Sequence, residues 1–354
     1  MAALPAPQHG VVQAVYRLHE QRAAQEGGRQ PHLDTELIGH PCDRRLWLTF
    51  RWAGAPTHPG RVLRQRAVAQ AARPRFIEEL RASGVEICEV DEFGRQYMVR
   101  AVGDHFGGTL DGAALRLAEA PKTWHALVLD VVDASAFEAL EALGVQETQP
   151  LRYFQAQILM GLTGMERALY MAEHRGTASL YAQRLHADPV CFAQLMARAE
   201  SVINAPEPPA RIPGIAPHWE CAGCEFLAMC HDDQVPEVNC RTCAHSTPAM
   251  GAGGRWICER KASDLDLQQQ RAACASHRFI PILLERIGTQ VDVLGESDGN
   301  GAVVYRMGDG STFTNGAAPH FSSAEIASLK HKTMLGDQLL QQCKARFPGS
   351  TVVA

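Results

Sequence analysis

Eight cysteines in two sets of four, seven of them within residues 221–274, constrain this chain more than any other feature. Cys221, Cys224 and Cys230 stand as C-x2-C-x5-C, with Cys42 far upstream in GHPCDRRLW. Cys240 and Cys243 form a second close pair, followed by Cys258 and Cys274. Two thiolates from one turn reach the same ion without strain, so such pairs suit a metal. Thiols buried by chance are the competing explanation, because free cysteine is a common core residue. That explanation suits Cys88, Cys191 and Cys343, each of which stands alone. The second group reads as a structural zinc site with four sulfurs; His277 is the alternative to Cys274, and His245 a weaker candidate. So small a unit lacks a core of its own, and bound metal would supply much of its folding energy. For the first group, spacing leaves zinc and iron–sulfur both open.

Composition narrows the rest. The 354 residues are 46% hydrophobic and 21% charged, enough for two or three compact soluble units. The formal net charge of -5 excludes a general polycation, so any nucleic-acid surface must be local. No stretch approaches the ~20 apolar residues of a membrane span, and MAALPAPQHG lacks the basic start and apolar block of a secretory signal. A cytoplasmic location is expected, where thiols favour metals over disulfides.

Four regions follow along the chain. Residues 1–30 hold one short amphipathic helix, VVQAVYRLHEQRAAQ. Residues 31–235 alternate helices and strands: a helix from Gly60 to Ser83 ended by Gly84, a hairpin of VEICEVD and RQYMVRAV, and strands GTLDGAAL and WHALVLDVV. Helices at Ala134–Leu143 and Leu151–Thr163, strands ERALYMAEH and ASLYAQRL, and a helix at Pro189–Ile203 complete it, before the proline-rich connector NAPEPPARIPGIAP. Residues 236–285 carry the second cysteine group, and 286–354 form a tail. In the tail VVYRMGDGSTFTNG predicts a hairpin, and Ser322 with Glu325 a capping box.

One upstream cysteine joined to C-x2-C-x5-C after a strand-rich middle resembles the iron–sulfur nucleases of the RecB-like PD-(D/E)XK superfamily, of which AddB-type recombination nucleases are examples. GHPCDRRLW, HFGGTLDG, APKTWH, QAQILMGLTGMERALY and VNCRTCAHSTP are similar to a family of phage-encoded nucleases with both metal modules, over residues 37 to 316. The resemblance implies an α/β (α+β) fold: a PD-(D/E)XK restriction-endonuclease-like core, a small zinc-binding module and a C-terminal tail. It implies that Cys42, Cys221, Cys224 and Cys230 hold a [4Fe–4S] cluster clasping the two ends of the core. Closing so long a loop removes several kcal/mol of chain entropy by polymer estimates, in keeping with a structural role.

The catalytic side departs from the pattern. Such nucleases bind Mg2+ or Mn2+ with an Asp on one strand and a Glu on the next, and a Lys two residues further orients the water. Asp111 fits the first acid, but Val128 stands where Glu is expected and Asp130 where Lys is expected. Gln70, Ala72 and Arg73 replace a His and acids on the first helix; of a later Gln and Tyr, Gln155 remains and Leu159 has changed. Metal holding, water activation and charge stabilisation are needed together, so these losses argue against efficient cutting. The remaining route to activity is a metal shared by Asp111 and Asp130, with Lys122 lending a distant ammonium.

Binding is the function left. Arg44, Arg45, Arg51, Arg61, Arg64, Arg66, Arg73 and Arg75 fall in one run without Asp or Glu. Guanidinium groups grip phosphates, and Trp47 and Trp52 are candidates to stack on bases. A DNA-binding pseudonuclease, phage-encoded and working in the host cytoplasm in recombination, replication or defence interference, is the expectation. A nuclease, helicase or host-defence protein is its expected partner, with no membrane. An active metal-dependent exonuclease and a protein-binding inhibitor on the same scaffold are the alternatives.

Overall fold

The computed structural model describes residues 9–25, 29–54, 58–212, 221–251, 253–295 and 301–352. In chain order the first half runs α1 (Gly10–Gln25), β1 (Leu33–Asp34), α2 (Asp43–Phe50), α3 (Gly60–Ala82), β2 (Glu86–Cys88), β3 (Met98–Ala101), β4 (Phe106–Thr109) and β5 (Ala113–Leu115). Then come β6 (His125–Val132), α4 (Ala134–Thr148), α5 (Pro150–Thr163), β7 (Arg167–His174), β8 (Leu180–His186) and α6 (Pro189–Asn204).

Strand β6, HALVLDVV, organises this half. Its sequence is apolar on both faces, which suits a strand covered on both sides, and only Asp130 in it is not buried. Ala126, Val128 and Val132 pack against Phe137 and Leu140 of α4 and Ala156, Leu159 and Met160 of α5. Leu127, Leu129 and Val131 pack on the opposite face against Phe76 and Ile77 of α3. The sheet order is β2-β5-β6-β7-β8, with β6 and β7 parallel and the other neighbours antiparallel. The parallel step needs a crossover, and α4 with α5 provides it. The result is a mixed α/β core of helix, sheet and helix layers.

Most helix expectations hold, and two strand expectations do not. Val90 bridges Gln96, so the chain turns there as predicted. The two arms then part: β2 pairs with β5, while β3 pairs with β4 in a small sheet of order β1-β4-β3. GTLDGAAL is not one strand but two, interrupted at Leu110-Asp111-Gly112. Tertiary pairing overrides the local hairpin signal here. Helix α4 is kinked where Gly144 takes φ 77 and ψ 177, so the regular part ends at Leu143 as expected. The connector after α6 lies partly outside the described residues, at 213–220.

The second half comprises α7 (Leu227–His231), β9 (Ser246–Pro248), β10 (Trp256–Cys258), β11 (Ser263–Leu265), α8 (Leu267–Ala272), β12 (Gly288–Leu294), β13 (Ala302–Met307), β14 (Thr312–Asn315), α9 (Ser323–Ser328) and α10 (Gln338–Arg346). The stretch with the second cysteine group does not stand apart as a distinct module. Its Trp256, Ile280 and Leu283 join one apolar core with Leu46, Trp47 and Phe50 of α2 and Leu195 and Val202 of α6. The tail hairpin is β13–β14, extended by β12 to a three-stranded sheet. The capping box is present: Glu325 N–H donates to Ser322 Oγ (3.2 Å) and Ser322 N–H to Glu325 Oε2 (2.8 Å).

Candidate functional site

A cleft of about 600 Å³ opens over β6, walled by α2, α3 and α5. The break between β4 and β5 sets Asp111 behind its rim. Leu129 N–H donates to Asp111 Oδ2 (2.8 Å), tying the carboxylate to the neighbouring strand. The side chain is only 7% exposed, and its other oxygen is ion-paired with Arg73 of α3. Burial raises the Asp111 pKa, while Arg73 and the Leu129 amide oppose that shift. Arg73 lines the cleft and Asp111 does not.

Asp130 has its own guanidinium. Arg152 of α5 donates from Nε to Asp130 Oδ2 (3.2 Å), pairs through Nη1 with Glu36 (3.1 Å), and donates to Gln155 Oε1 (3.0 Å). Burial alone would lower the Arg152 pKa, but Asp130 and Glu36 outweigh it and hold the group charged. Tyr170 O–H also reaches Asp130 Oδ2 at 3.5 Å. Beside this network, burial pushes Asp34 from the ordinary 3.8 up to about 6.

Asp130 and Gln155 therefore share Arg152, while Asp111, held by the Leu129 amide, is paired with Arg73. Val128 and Leu159, at the positions of the expected Glu and Tyr, lie in one apolar cluster, each 1% exposed. Lys122 is elsewhere: it lines a different cavity with Trp124 and Cys88, so it lends nothing to Asp111 or Asp130.

The arginine run divides. Arg44 is buried, donating to Pro209 O (3.3 Å) and paired with Glu285 (3.2 Å). Arg45 pairs with Glu225 (2.9 Å), Arg73 with Asp111, and Arg75 with Glu173. Arg51 is buried and donates to Arg241 O (3.3 Å) and Ser246 O (3.0 Å). Only Arg61, Arg64 and Arg66 of the eight are exposed without an ion pair among the described residues. Base stacking by Trp47 and Trp52 is excluded. Both rings are buried, and their indole N–H groups donate to Ala205 O (2.8 Å) and Gln30 O (2.9 Å).

Each cysteine quartet lines one small cavity. Cys42, Cys221, Cys224 and Cys230 surround about 30 Å³ together with Arg44, Arg45 and Arg211. Cys42 also caps α2, its Sγ accepting from Arg45 N–H at 3.4 Å. Cys240, Cys243, Cys258 and Cys274 surround about 20 Å³ with His245 and His277. As the side chains stand, no group of three or more Cys, His, Asp or Glu among the described residues is arranged to hold a metal ion. The quartets are gathered without being closed. Burial pushes the Cys224 and Cys240 thiols up to about 11 and raises Cys230 and Cys243 as well. His277 Nε2 faces Asn239 O (3.0 Å) while its Nδ1 is buried with no hydrogen-bond partner among the described residues, so His277 stays open as the alternative to Cys274. Cys343 is exposed and Cys88 and Cys191 are half-buried, so none of the three is the core thiol expected.

Sequence reasoning missed Arg241, which is 0% exposed. Its guanidinium lies over Trp52 (3.6 Å) and Trp256 (4.7 Å) and donates to Gln270, Phe50 O and Pro31 O. The one available signal was its place between Cys240 and Cys243.

No known family model matches the chain, and no curated protein does. Among solved structures it is similar to an alkaline exonuclease from Laribacter hongkongensis, LHK-Exo, in complex with dAMP. The TM-score is 0.37 at 12% identity, over 49% of this chain and 87% of that one. A second structure of LHK-Exo gives 0.36 at 12% identity over 50% and 88%. SSO0001 gives 0.36 at 13% identity, over 64% of this chain and 98% of that one. Among the described residues no helix is long and apolar enough to cross a membrane.

Proposed function

We propose that this protein is a DNA-binding pseudonuclease: a PD-(D/E)XK-type core that has kept its architecture and given up cutting. The carrying observation is that both carboxylates of the remnant site are ion-paired from within, Asp111 with Arg73 and Asp130 with an Arg152 that it shares with Glu36. A guanidinium supplies the positive charge that a divalent cation would bring, but it cannot bind and acidify a water. Val128, at the position of the expected acid, supports the same reading, since it is buried in the apolar Leu159 cluster and does not line the cleft. The topology agrees as well: α3, the antiparallel run β2, β5, β6, then a helical crossover to parallel β7.

Two structural metal groups complete the proposal. Cys42, Cys221, Cys224 and Cys230 would hold a [4Fe–4S] cluster, and Cys240, Cys243, Cys258 and Cys274 a zinc ion. The donor chemistry fits, and each quartet shares a cavity. Bound metal would draw the thiols in as thiolates and cross-link distant chain segments, a stabilising role.

A labelled-DNA assay that scores binding and degradation together, with Mn2+ present, tests the function. Salt-dependent binding with intact DNA is expected. Metal-dependent degradation abolished by Asp111→Ala would instead establish an exonuclease, and absence of binding would favour a protein-binding scaffold.

A further inference from the structure

We propose that the nucleic-acid contact is made by a two-helix arm, α1 with the first half of α3, rather than by the remnant cleft. The inference rests on the DNA-binding reading above and assigns its surface. Helix α1 has no buried residue, and before Phe76 helix α3 buries only Gly60. The two helices therefore project from the body and are held mainly by each other. At Gly60 they meet so closely that no Cβ would fit against the Tyr16 backbone.

Charge gives the arm its partner. Its described residues carry Arg17, Arg22, Arg61, Arg64 and Arg66, all exposed. The one acid is Glu20, whose Oε1 accepts from Gly60 N–H at 2.7 Å. None of the five guanidiniums makes an ion pair among the described residues; Arg17 reaches only its own helix, at Gln13 O (3.4 Å). The cleft is the opposite case. Of the arginines that line it, Arg29, Arg45, Arg73 and Arg152 are each paired with a carboxylate. In a chain of net charge -5, an unpaired cationic projection is where a phosphate backbone finds uncompensated charge. Arg66 belongs to both the arm and the cleft rim, so DNA on the arm passes the remnant site.

Val11, Val15 and Leu18 also leave an exposed apolar stripe on α1, which an anionic membrane would accept as well. The continuity of the arm with the cleft favours nucleic acid, and the experiment includes the membrane.

Arg17→Gln/Arg22→Gln and Arg61→Gln/Arg64→Gln alter exposed side chains, with fold checked by circular dichroism and melting. Lys330→Ala/Arg346→Ala, distant in sequence, is the control. Anisotropy of a labelled duplex is measured across salt concentrations, and sedimentation with phosphatidylglycerol vesicles runs in parallel. Each arm pair should lower the slope of log affinity against log salt by about two and weaken binding on the order of tenfold, while the control changes neither. If the parent binds DNA and the α1 pair leaves slope and affinity unchanged, the arm is refuted and the DNA-binding reading stands. If the parent binds no DNA at low salt, that reading fails and the arm with it. Loss of vesicle binding in the α1 pair, with DNA binding intact, would overturn the nucleic-acid assignment in favour of a membrane surface.

Discussion

Removing Arg73 tests the neutralised site most directly. In Arg73→Ala the Asp111 carboxylate stays buried with only the Leu129 N–H donating to it. Breaking a fully buried pair costs about 3–5 kcal/mol. Arg73 itself is 35% exposed, so solvent relieves part of this, and about 2 kcal/mol at pH 7.5 is expected. For 354 residues unfolding as one unit that corresponds to a fall of roughly 3 °C in Tm. The sign of the pH dependence is fixed by burial. Asp111 is already raised by desolvation, and losing Arg73 raises it further. The folded variant then holds a proton that the unfolded chain releases, so the deficit grows as pH rises through the carboxylate range and shrinks toward pH 4. Asp111→Asn in the Arg73→Ala background should restore most of the loss, because no buried charge remains. Opening the site should also let Mn2+ in. At tenfold over its Kd the ion would return about 1.4 kcal/mol to Arg73→Ala and nothing to the parent. Calorimetry with and without Mn2+ measures both effects. A variant as stable as the parent at pH 7.5, or a parent that Mn2+ stabilises equally, would refute the argument.

Three further outcomes are expected. Anaerobically purified protein should be brown with roughly four irons per chain, and Cys42→Ser should bleach it; a colourless protein with zinc in both quartets would reject the cluster and keep the clasp. Cys240→Ser should release about one zinc and create protease-sensitive bonds within residues 236–285 without loss of iron; retained zinc would show the ligand set to be wrong. Asp34→Asn should stabilise the protein, since a carboxyl raised to about 6 costs stability once ionised. The benefit should be absent near pH 4, grow to pH 6 and level off at no more than about 3 kcal/mol, and equal melting curves at pH 7.5 would contradict it.

The parts that the sequence made legible share a physical cause: they are fixed by side-chain periodicity within one element. The apolar run of β6 announces a doubly covered strand, and Ser322 with Glu325 announces a helix start wherever it packs. Pairing between distant segments is not written that way. VEICEVD and RQYMVRAV look like one hairpin because the turn between them is real. What separates them is β5, which arrives later and takes β2. Strand β12 gave no signal because most of its residues are exposed on both faces, leaving no alternation to read. In the site, Asp111 and Asp130 could be named, but Arg73 and Arg152 as their partners could not, since neither ion pair joins neighbours in sequence.

The arginines carry that point furthest. A run of eight without an acid suggests a basic face, yet the fold brings Glu285, Glu225, Asp111 and Glu173 onto four of them. Local charge density in a sequence is not surface potential. Arg51 and Arg241 are a different case: both are buried, and neither is matched by a carboxylate among the described residues. Indole faces and carbonyls hold them, with Arg51 over Trp47 at 5.2 Å and Trp256 at 5.0 Å. Such acceptors carry only partial charge, and a buried cation needs more than that. Arg51 donates to Arg241 O and Ser246 O, the backbone on either side of Cys243. A metal with four thiolates would place net negative charge beside it. Arg51→Met keeps the stem and removes the cation, so its effect should change sign with metal content. In zinc-loaded protein it should destabilise and speed zinc release to a chelator; in stripped protein it should be neutral or stabilising. Equal destabilisation in both states would mean that Arg51 serves packing and hydrogen bonding alone, and that the guanidinium does not answer the charge of the thiolates.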